Sequence, residues 1–125
     1  MNEASRVVAI VDDDPAVGRA LRRLVRALGH EAHAFPSGNA LLHGSGPEPP
    51  TDILLDLHMP GQSGPPLVSR IRALWPEARI IVMSGLETPG AAEACVAAGA
   101  TQFLRKPIHP ADLDRFLAPD GHRPA

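Results

Sequence analysis

A chain of 125 residues with 44% hydrophobic and 21% charged content is sized for one globular core. A formal net charge of -2 and only 3% aromatic residues give it neither the basic surface nor the stacking rings of a nucleic-acid binder. One cysteine, Cys95, excludes an internal disulfide and a cysteine metal cluster, and no apolar run reaches the ~20 residues of a membrane span. Met1 to Arg6 shows no secretory pattern, so a cytoplasmic location is expected.

Arg6 to Val11 is a β-branched run that predicts a buried first strand. Asp12, Asp13 and Asp14 follow, and Pro15 suits the first position of a helix capped by Asp14. Val17, Leu21, Leu24, Val25 and Leu28 recur at helical spacing, with Arg19, Arg22, Arg23 and Arg26 on a solvated face and Gly29 as the stop. His30 to Phe35 alternates weakly, as an edge strand does. Ser37 can cap a short helix holding Leu41 and Leu42, and Gly44 to Pro50 is a Gly/Pro loop.

The third strand, Ile53 to Leu55, ends in Asp56 and is followed by Pro60-Gly61. Gly64-Pro65-Pro66 opens a helix with Leu67, Val68, Ile71 and Leu74 on its apolar face; Trp75-Pro76 ends it. Arg79 to Met83 is the fourth strand and runs into Ser84-Gly85. Thr88-Pro89 is read as the start of a fourth helix that continues to Ala98. That helix is alanine-rich with little to bury, so it is expected to be the least stable. Gln102 to Arg105 is the fifth strand, Lys106-Pro107 ends it, and Pro110 to Leu117 is a short last helix. Residues 1–118 make the predicted domain, and 119–125 a flexible tail.

Strands alternating with helices imply a parallel sheet covered on both faces. The predicted fold is α/β and doubly wound: a five-stranded parallel sheet of order 2-1-3-4-5, the flavodoxin-like arrangement. That topology carries Asp12 and Asp13, Asp56, Ser84 and Lys106 to one carboxyl edge, where open α/β sheets place their ligands. Carboxylates ~4 Å apart repel by roughly 4 kcal/mol at an effective dielectric near 20. Three with one lysine call for a raised pKa or a bound cation. Mg²⁺ suits them, because it takes oxygen ligands and commonly bridges carboxylates to a phosphate. Lys106 and the Ser84 hydroxyl supply donors for phosphoryl oxygens, so the chemistry implied is phosphoryl transfer to Asp56.

Ile10 to Asp14, Leu55 to Gly61 with Gly64, Val82 to Gly85, Gly99-Ala100 and Phe103 to Pro107 resemble the receiver domain of two-component response regulators, and within it the FixJ/NarL-type branch. The resemblance spans nearly the whole chain. It implies that Asp56 accepts phosphate from a sensor histidine kinase. It also implies that Asp13, Asp56 and the main-chain carbonyl of His58 ligate Mg²⁺, with Asp12 acting through metal-bound water. Ser84 and Phe103 would form the conformational switch, and Lys106 would pair with the phosphate. The Lys106-Pro107 bond is expected to be cis. The protein would be a signalling phosphoacceptor rather than an enzyme, controlling an output domain or downstream protein, with no nucleic-acid or membrane contact of its own. A homodimer through helix 4, strand 5 and helix 5 is the usual assembly.

Departures from the pattern are specific. Ser84 replaces the commoner threonine. The tandem prolines after Gly64 and the loop at 44–50 suggest a shifted third helix, while Pro89-Gly90 and the short last helix weaken the usual dimer face. Two rivals stay open: a receiver-like module that works by constitutive contacts, and an aspartyl-phosphate hydrolase of the haloacid dehalogenase class, using Asp12 and Asp14. The second needs a further acidic motif late in the chain, and no strand after Ser84 ends in one. The chain is expected either to act alone or to be part of a longer regulator.

Overall fold

Five short segments become the strands of one sheet in the computed structural model, which describes residues 6–44, 48–59, 64–85 and 89–118. The elements are β1 (Val7–Val11), α1 (Pro15–Ala27), β2 (Glu31–Phe35), α2 (Gly38–His43), β3 (Asp52–Asp56), α3 (Pro65–Leu74), β4 (Arg79–Ser84), α4 (Ala91–Ala98), β5 (Gln102–Arg105) and α5 (Pro110–Leu117). All pairings are parallel and the order is β2-β1-β3-β4-β5, as predicted.

Alternation along the strands divides the core into two layers. Ala9, Val11, Ile53, Leu55, Ile80 and Val82 face Leu41, Leu67, Val68, Ile71 and Cys95, and so lie under α2, α3 and α4. Val8, Ile10, Leu54, Ile81 and Met83 face Leu21, Val25, Leu113 and Leu117, under α1 and α5. The central strands β3 and β4 are buried at every position, which is why their sequences show no alternation. Edge strand β2 buries one residue, Ala32.

Caps fix the helix starts. Asp14 accepts a hydrogen bond from the Ala16 amide at 2.9 Å, and Ser37 accepts one from the Ala40 amide at 3.0 Å. Helix α4 departs from the sequence reading. It begins at Ala91, because Gly90 sits in the left-handed region at φ 80°, which a right-handed helix cannot include, and Pro89 lies in the turn before it. Thr88 falls outside the described residues. Cys95 is the buried residue of α4, consistent with a weakly anchored helix. The predicted Pro60-Gly61 turn, the middle of the 44–50 loop and the 119–125 tail also lie outside the described residues.

Arg72, in the last turn of α3, ties that helix to α4. Its guanidinium donates to the carbonyls of Pro76 at 2.8 Å, Ala78 at 2.6 Å and Gly99 at 2.8 Å. Gly99 has φ 125°, and a Cβ there would stand 3.2 Å from Arg72 Cγ, so both conformation and space call for glycine.

The amino edge of the sheet carries a polar network that the strand pattern did not announce. Asp52 is fully buried and accepts from Arg79 Nε at 2.7 Å, with Arg6 Nε 3.9 Å away on its other oxygen. Thr51 Oγ1 lies 2.7 Å from Asp52 Oδ1 and accepts from the Val7 amide at 3.0 Å, joining β1 to β3. Beside it, His30 Nδ1 accepts from the Arg6 amide at 3.0 Å, so the ring must be neutral there. Burial lowers the His30 pKa; the Asp52 and Asp114 carboxylates oppose this and the Arg6 and Arg79 charges add to it. A folded pKa below the unfolded one makes the unfolded chain the better proton binder. The stability His30 contributes is therefore full above the unfolded histidine value of about 6.5 and falls as pH drops through the lowered one. Urea melts should show the native protein losing more stability between about pH 7.5 and pH 5 than a His30→Gln variant does. Equal losses would count against it.

Candidate functional site

Four strands end at the same edge, and each delivers one part of the site. Asp12 and Asp13 follow the last residue of β1, Asp56 is the last residue of β3, Ser84 the last of β4, and Lys106 follows β5. Backbone bonds hold these ends in register beyond the strands. The Asp12 amide donates to the Phe35 carbonyl at 3.1 Å, the Leu57 amide to Met83 at 2.8 Å, and the Lys106 amide to Ser84 at 2.8 Å.

One carboxylate oxygen from each of Asp12, Asp13 and Asp56 lies within 4.8 Å of the other two. Asp12 and Asp56 are buried, and Asp13 is exposed at the mouth. Lys106 Nζ reaches in from the opposite strand, 2.9 Å from Asp12 Oδ2 and 3.5 Å from Asp56 Oδ1. Asp12 also accepts from the Asp14 amide at 2.9 Å, which ties the acidic turn to the start of α1.

One ammonium faces three carboxylates, so negative charge is in excess. At 4.8 Å each carboxylate pair still repels by roughly 3 kcal/mol at an effective dielectric near 20. Burial pushes the Asp56 pKa up, and the charge of Asp12 adds to it. The bond from the His58 amide at 3.3 Å and the Lys106 charge pull the other way without cancelling the rise. For Lys106, burial pulls the pKa down. The hydrogen bond to Asp12 and the two carboxylate charges outweigh it, so the ammonium is held above its ordinary range. Both shifts favour the protonated forms, the Lys106 ammonium and the neutral Asp56 carboxyl.

An oxygen-only donor set of this spacing fits a hard divalent cation. Two oxygens bound to one such ion at about 2.1–2.6 Å are at most about 4–5 Å apart, which the 4.8 Å cluster meets.

Ser84 is fully buried, and its hydroxyl lies 3.0 Å from the Nε2 of His58. Phe103 is half-buried against the core layer under α3 and α4. It pairs with Val82, two residues before Ser84, so the ring and the hydroxyl belong to the same face of the sheet. The structure thus brings together Asp12, Asp13, Asp56 and Lys106, sets Ser84 with His58, and leaves Phe103 in the layer behind. The Lys106-Pro107 bond is cis, as expected from the sequence.

The chain matches the family model described as response regulator receiver domain over residues 8–118. The chain belongs to that family. Among curated relatives, response regulator protein TmoT of Ectopseudomonas mendocina is 36% identical over 113 residues, covering 90% of this chain and 51% of the relative. Transcriptional regulatory protein KdpE of Mycobacterium tuberculosis is 30% identical over 112 residues, covering 90% of this chain and 48% of the relative. The receiver chain thus spans about half the length of these relatives. A response regulator from Burkholderia pseudomallei, solved with a phosphorylated aspartic acid, a calcium ion and citrate, superposes with a TM-score of 0.83 at 26% identity. That alignment covers 93% of this chain and 68% of the neighbour. DrrB of Thermotoga maritima, described as an OmpR/PhoB homolog, gives a TM-score of 0.76 at 26% identity, covering 90% of this chain and 52% of DrrB. The receiver family is shown; a FixJ/NarL-type branch is not singled out, since similar structures include one of the OmpR/PhoB kind.

Sequence reasoning gave His58 only a main-chain role and missed its ring on Ser84. The signal was present: His58 is two residues past Asp56, and β3 pairs beside β4, so a residue just after one strand end meets the end of the other. Among the described residues, no helix is long and apolar enough to cross a membrane.

Proposed function

We propose that this receiver is a phosphorylation-controlled switch in which Asp56 takes the phosphoryl group of a kinase phosphohistidine. The observation that carries the reading is the convergence of Asp12, Asp13, Asp56 and Lys106 on one edge, with Lys106 within 3.5 Å of both buried carboxylates. In the transfer, an Asp56 oxygen forms the new bond to phosphorus, the phosphorus–nitrogen bond of the donor breaks, and the histidine ring keeps that electron pair. Lys106 holds positive charge beside the phosphoryl oxygens, and the Ser84 hydroxyl donates to another. Mg²⁺ is the proposed metal, held by Asp13, Asp56 and the His58 main-chain carbonyl, with Asp12 acting through water. Bound there, it would supply positive charge that favours the ionised Asp56 carboxylate and the approach of the phosphoryl oxygens.

Phosphorylation replaces one negative charge by nearly two and adds acceptor oxygens. The responding element is the Ser84–Phe103 face together with the segment after Ser84, of which residues 86–88 lie outside the described part. The partners proposed are a sensor histidine kinase and an output domain or downstream protein, in the cytoplasm. Helix α4, β5 and α5 form the proposed dimer face; α4 and α5 have eight residues each, which favours a weak dimer. Residues 1–118 are the proposed receiver unit, 119–125 its tail. Wording of the motifs supports the FixJ/NarL-type branch. The domain is a signalling phosphoacceptor that assists its own phosphorylation and dephosphorylation, rather than an enzyme.

Titration with Mg²⁺ and beryllofluoride, followed by backbone NMR, tests the reading. Native protein should show saturable shifts at Asp56, Ser84, Gly85 and Phe103. Lys106→Ala should keep shifts near Asp56 and lose most of those at Phe103. No response of the native protein near Ser84 would favour a signalling-inactive interaction module instead.

A further inference from the structure

The ring of His58 has a place that the phosphoacceptor reading does not use. His58 follows the end of β3, Ser84 ends β4, and β3 pairs with β4 up to Asp56 opposite Met83. His58 Nε2 lies 3.0 Å from Ser84 Oγ, a hydrogen bond across 26 positions of chain. The histidine is exposed and the serine fully buried, so a surface ring reaches the hydroxyl that the site needs.

Serine has one heavy atom on Cβ besides the backbone, so its hydroxyl turns among three staggered positions. Threonine, the commoner residue at this position in resembling receivers, is stiffer at χ1 because it is β-branched. The His58 ring, 3.0 Å from the serine hydroxyl, restrains that freer rotor. We propose that His58 is a positioning residue that latches the Ser84 hydroxyl in the resting protein and releases it when the hydroxyl turns to a phosphoryl oxygen on Asp56. This rests on the phosphoacceptor reading and deepens it. A bond made only in the resting state lowers affinity for the activating anion by what that bond is worth. The net worth of one protein hydrogen bond corresponds to roughly a three- to tenfold change in binding constant.

The test uses beryllofluoride at saturating Mg²⁺, with the Gly85 amide shift as readout, on five proteins. His58→Phe keeps a ring without the polar nitrogen and should bind beryllofluoride roughly three- to tenfold more tightly than the native protein. His58→Gln, which restores a polar group at similar reach, should return toward the native value. In a Ser84→Ala background the His58→Phe step should lose its effect, since the latch has no hydroxyl to hold. In the free protein, Ser84→Ala should also move the His58 Nε2 resonance, a readout that needs neither metal nor anion. Unchanged or weaker binding by His58→Phe, or an equal effect of that step with Ser84 absent, would overturn the latch while leaving Asp56 as acceptor. Native protein that moves its His58 resonance on Ser84→Ala yet binds no beryllofluoride would instead overturn the phosphoacceptor reading, and with it the release step.

Discussion

Replacing Asp56 by asparagine should stop phosphoryl uptake from acetyl phosphate and at the same time stabilise the fold. The first effect follows from chemistry: a neutral amide has no carboxylate oxygen to form the mixed anhydride. Uptake should drop by at least about a hundredfold, to the level of stray modification. The second effect follows from electrostatics. Asp56 is buried, crowded by Asp12, and has a pKa raised above that of a free aspartate. A raised folded pKa means that the folded state prefers the neutral group. Above the unfolded value of about 3.9 the ionised carboxylate therefore costs stability, and the cost disappears as pH falls below it. Asparagine removes that cost, so urea unfolding at neutral pH, with chelator present, should show a gain in stability. The gain should shrink toward pH 4. A variant that is less stable at neutral pH would show that the Lys106 contact at 3.5 Å outweighs burial and repulsion.

Asp52→Ala should have the opposite sign and a larger size. Asp52 is completely buried at the start of β3, and Arg79 beside it is buried too. Their 2.7 Å contact joins the starts of β3 and β4, while Arg6 and Thr51 bring in the start of β1. Alanine leaves a buried guanidinium without its carboxylate, a change that typically costs about 3–5 kcal/mol. That is a large part of the stability of an ordinary domain of this size. Removing both ends of the pair with apolar residues of similar volume, as in Asp52→Leu with Arg79→Met, should recover much of the loss. Equilibrium urea unfolding of the two variants decides it. A loss below about 1 kcal/mol for Asp52→Ala would mean that water reaches Arg79 and the network counts for little.

The two carboxylates also mark how much the sequence disclosed. Asp56 was legible because it ends an apolar run at a turn, in a chain whose other strands end in Asp12, Asp13, Ser84 and Lys106. Strand order follows from strand–helix alternation, and the order brings the ends together. Asp52 was not legible: its partner Arg79 is 27 positions away, and neither belongs to a pattern of period two or 3.6. The Arg72 clamp was missed for the same reason, since its acceptors are main-chain carbonyls, which leave no mark in a sequence. The start of α4 was misread because Thr88-Pro89 looks like a helix opening, whereas the left-handed backbone at Gly90 moves the first turn to Ala91. The His58 ring was missed because the resemblance gave that residue only a main-chain carbonyl role, which says nothing about a serine hydroxyl.

Peptide mapping by mass spectrometry, after incubation with acetyl phosphate and Mg²⁺ and reductive trapping of the acyl phosphate, tests the shared acidic site most directly. One phosphoryl equivalent per chain is expected, on the peptide containing Asp56, and none when Mg²⁺ is withheld. Label on Asp12 or Asp13, or a native chain that stays unlabelled with Mg²⁺ present, would contradict it.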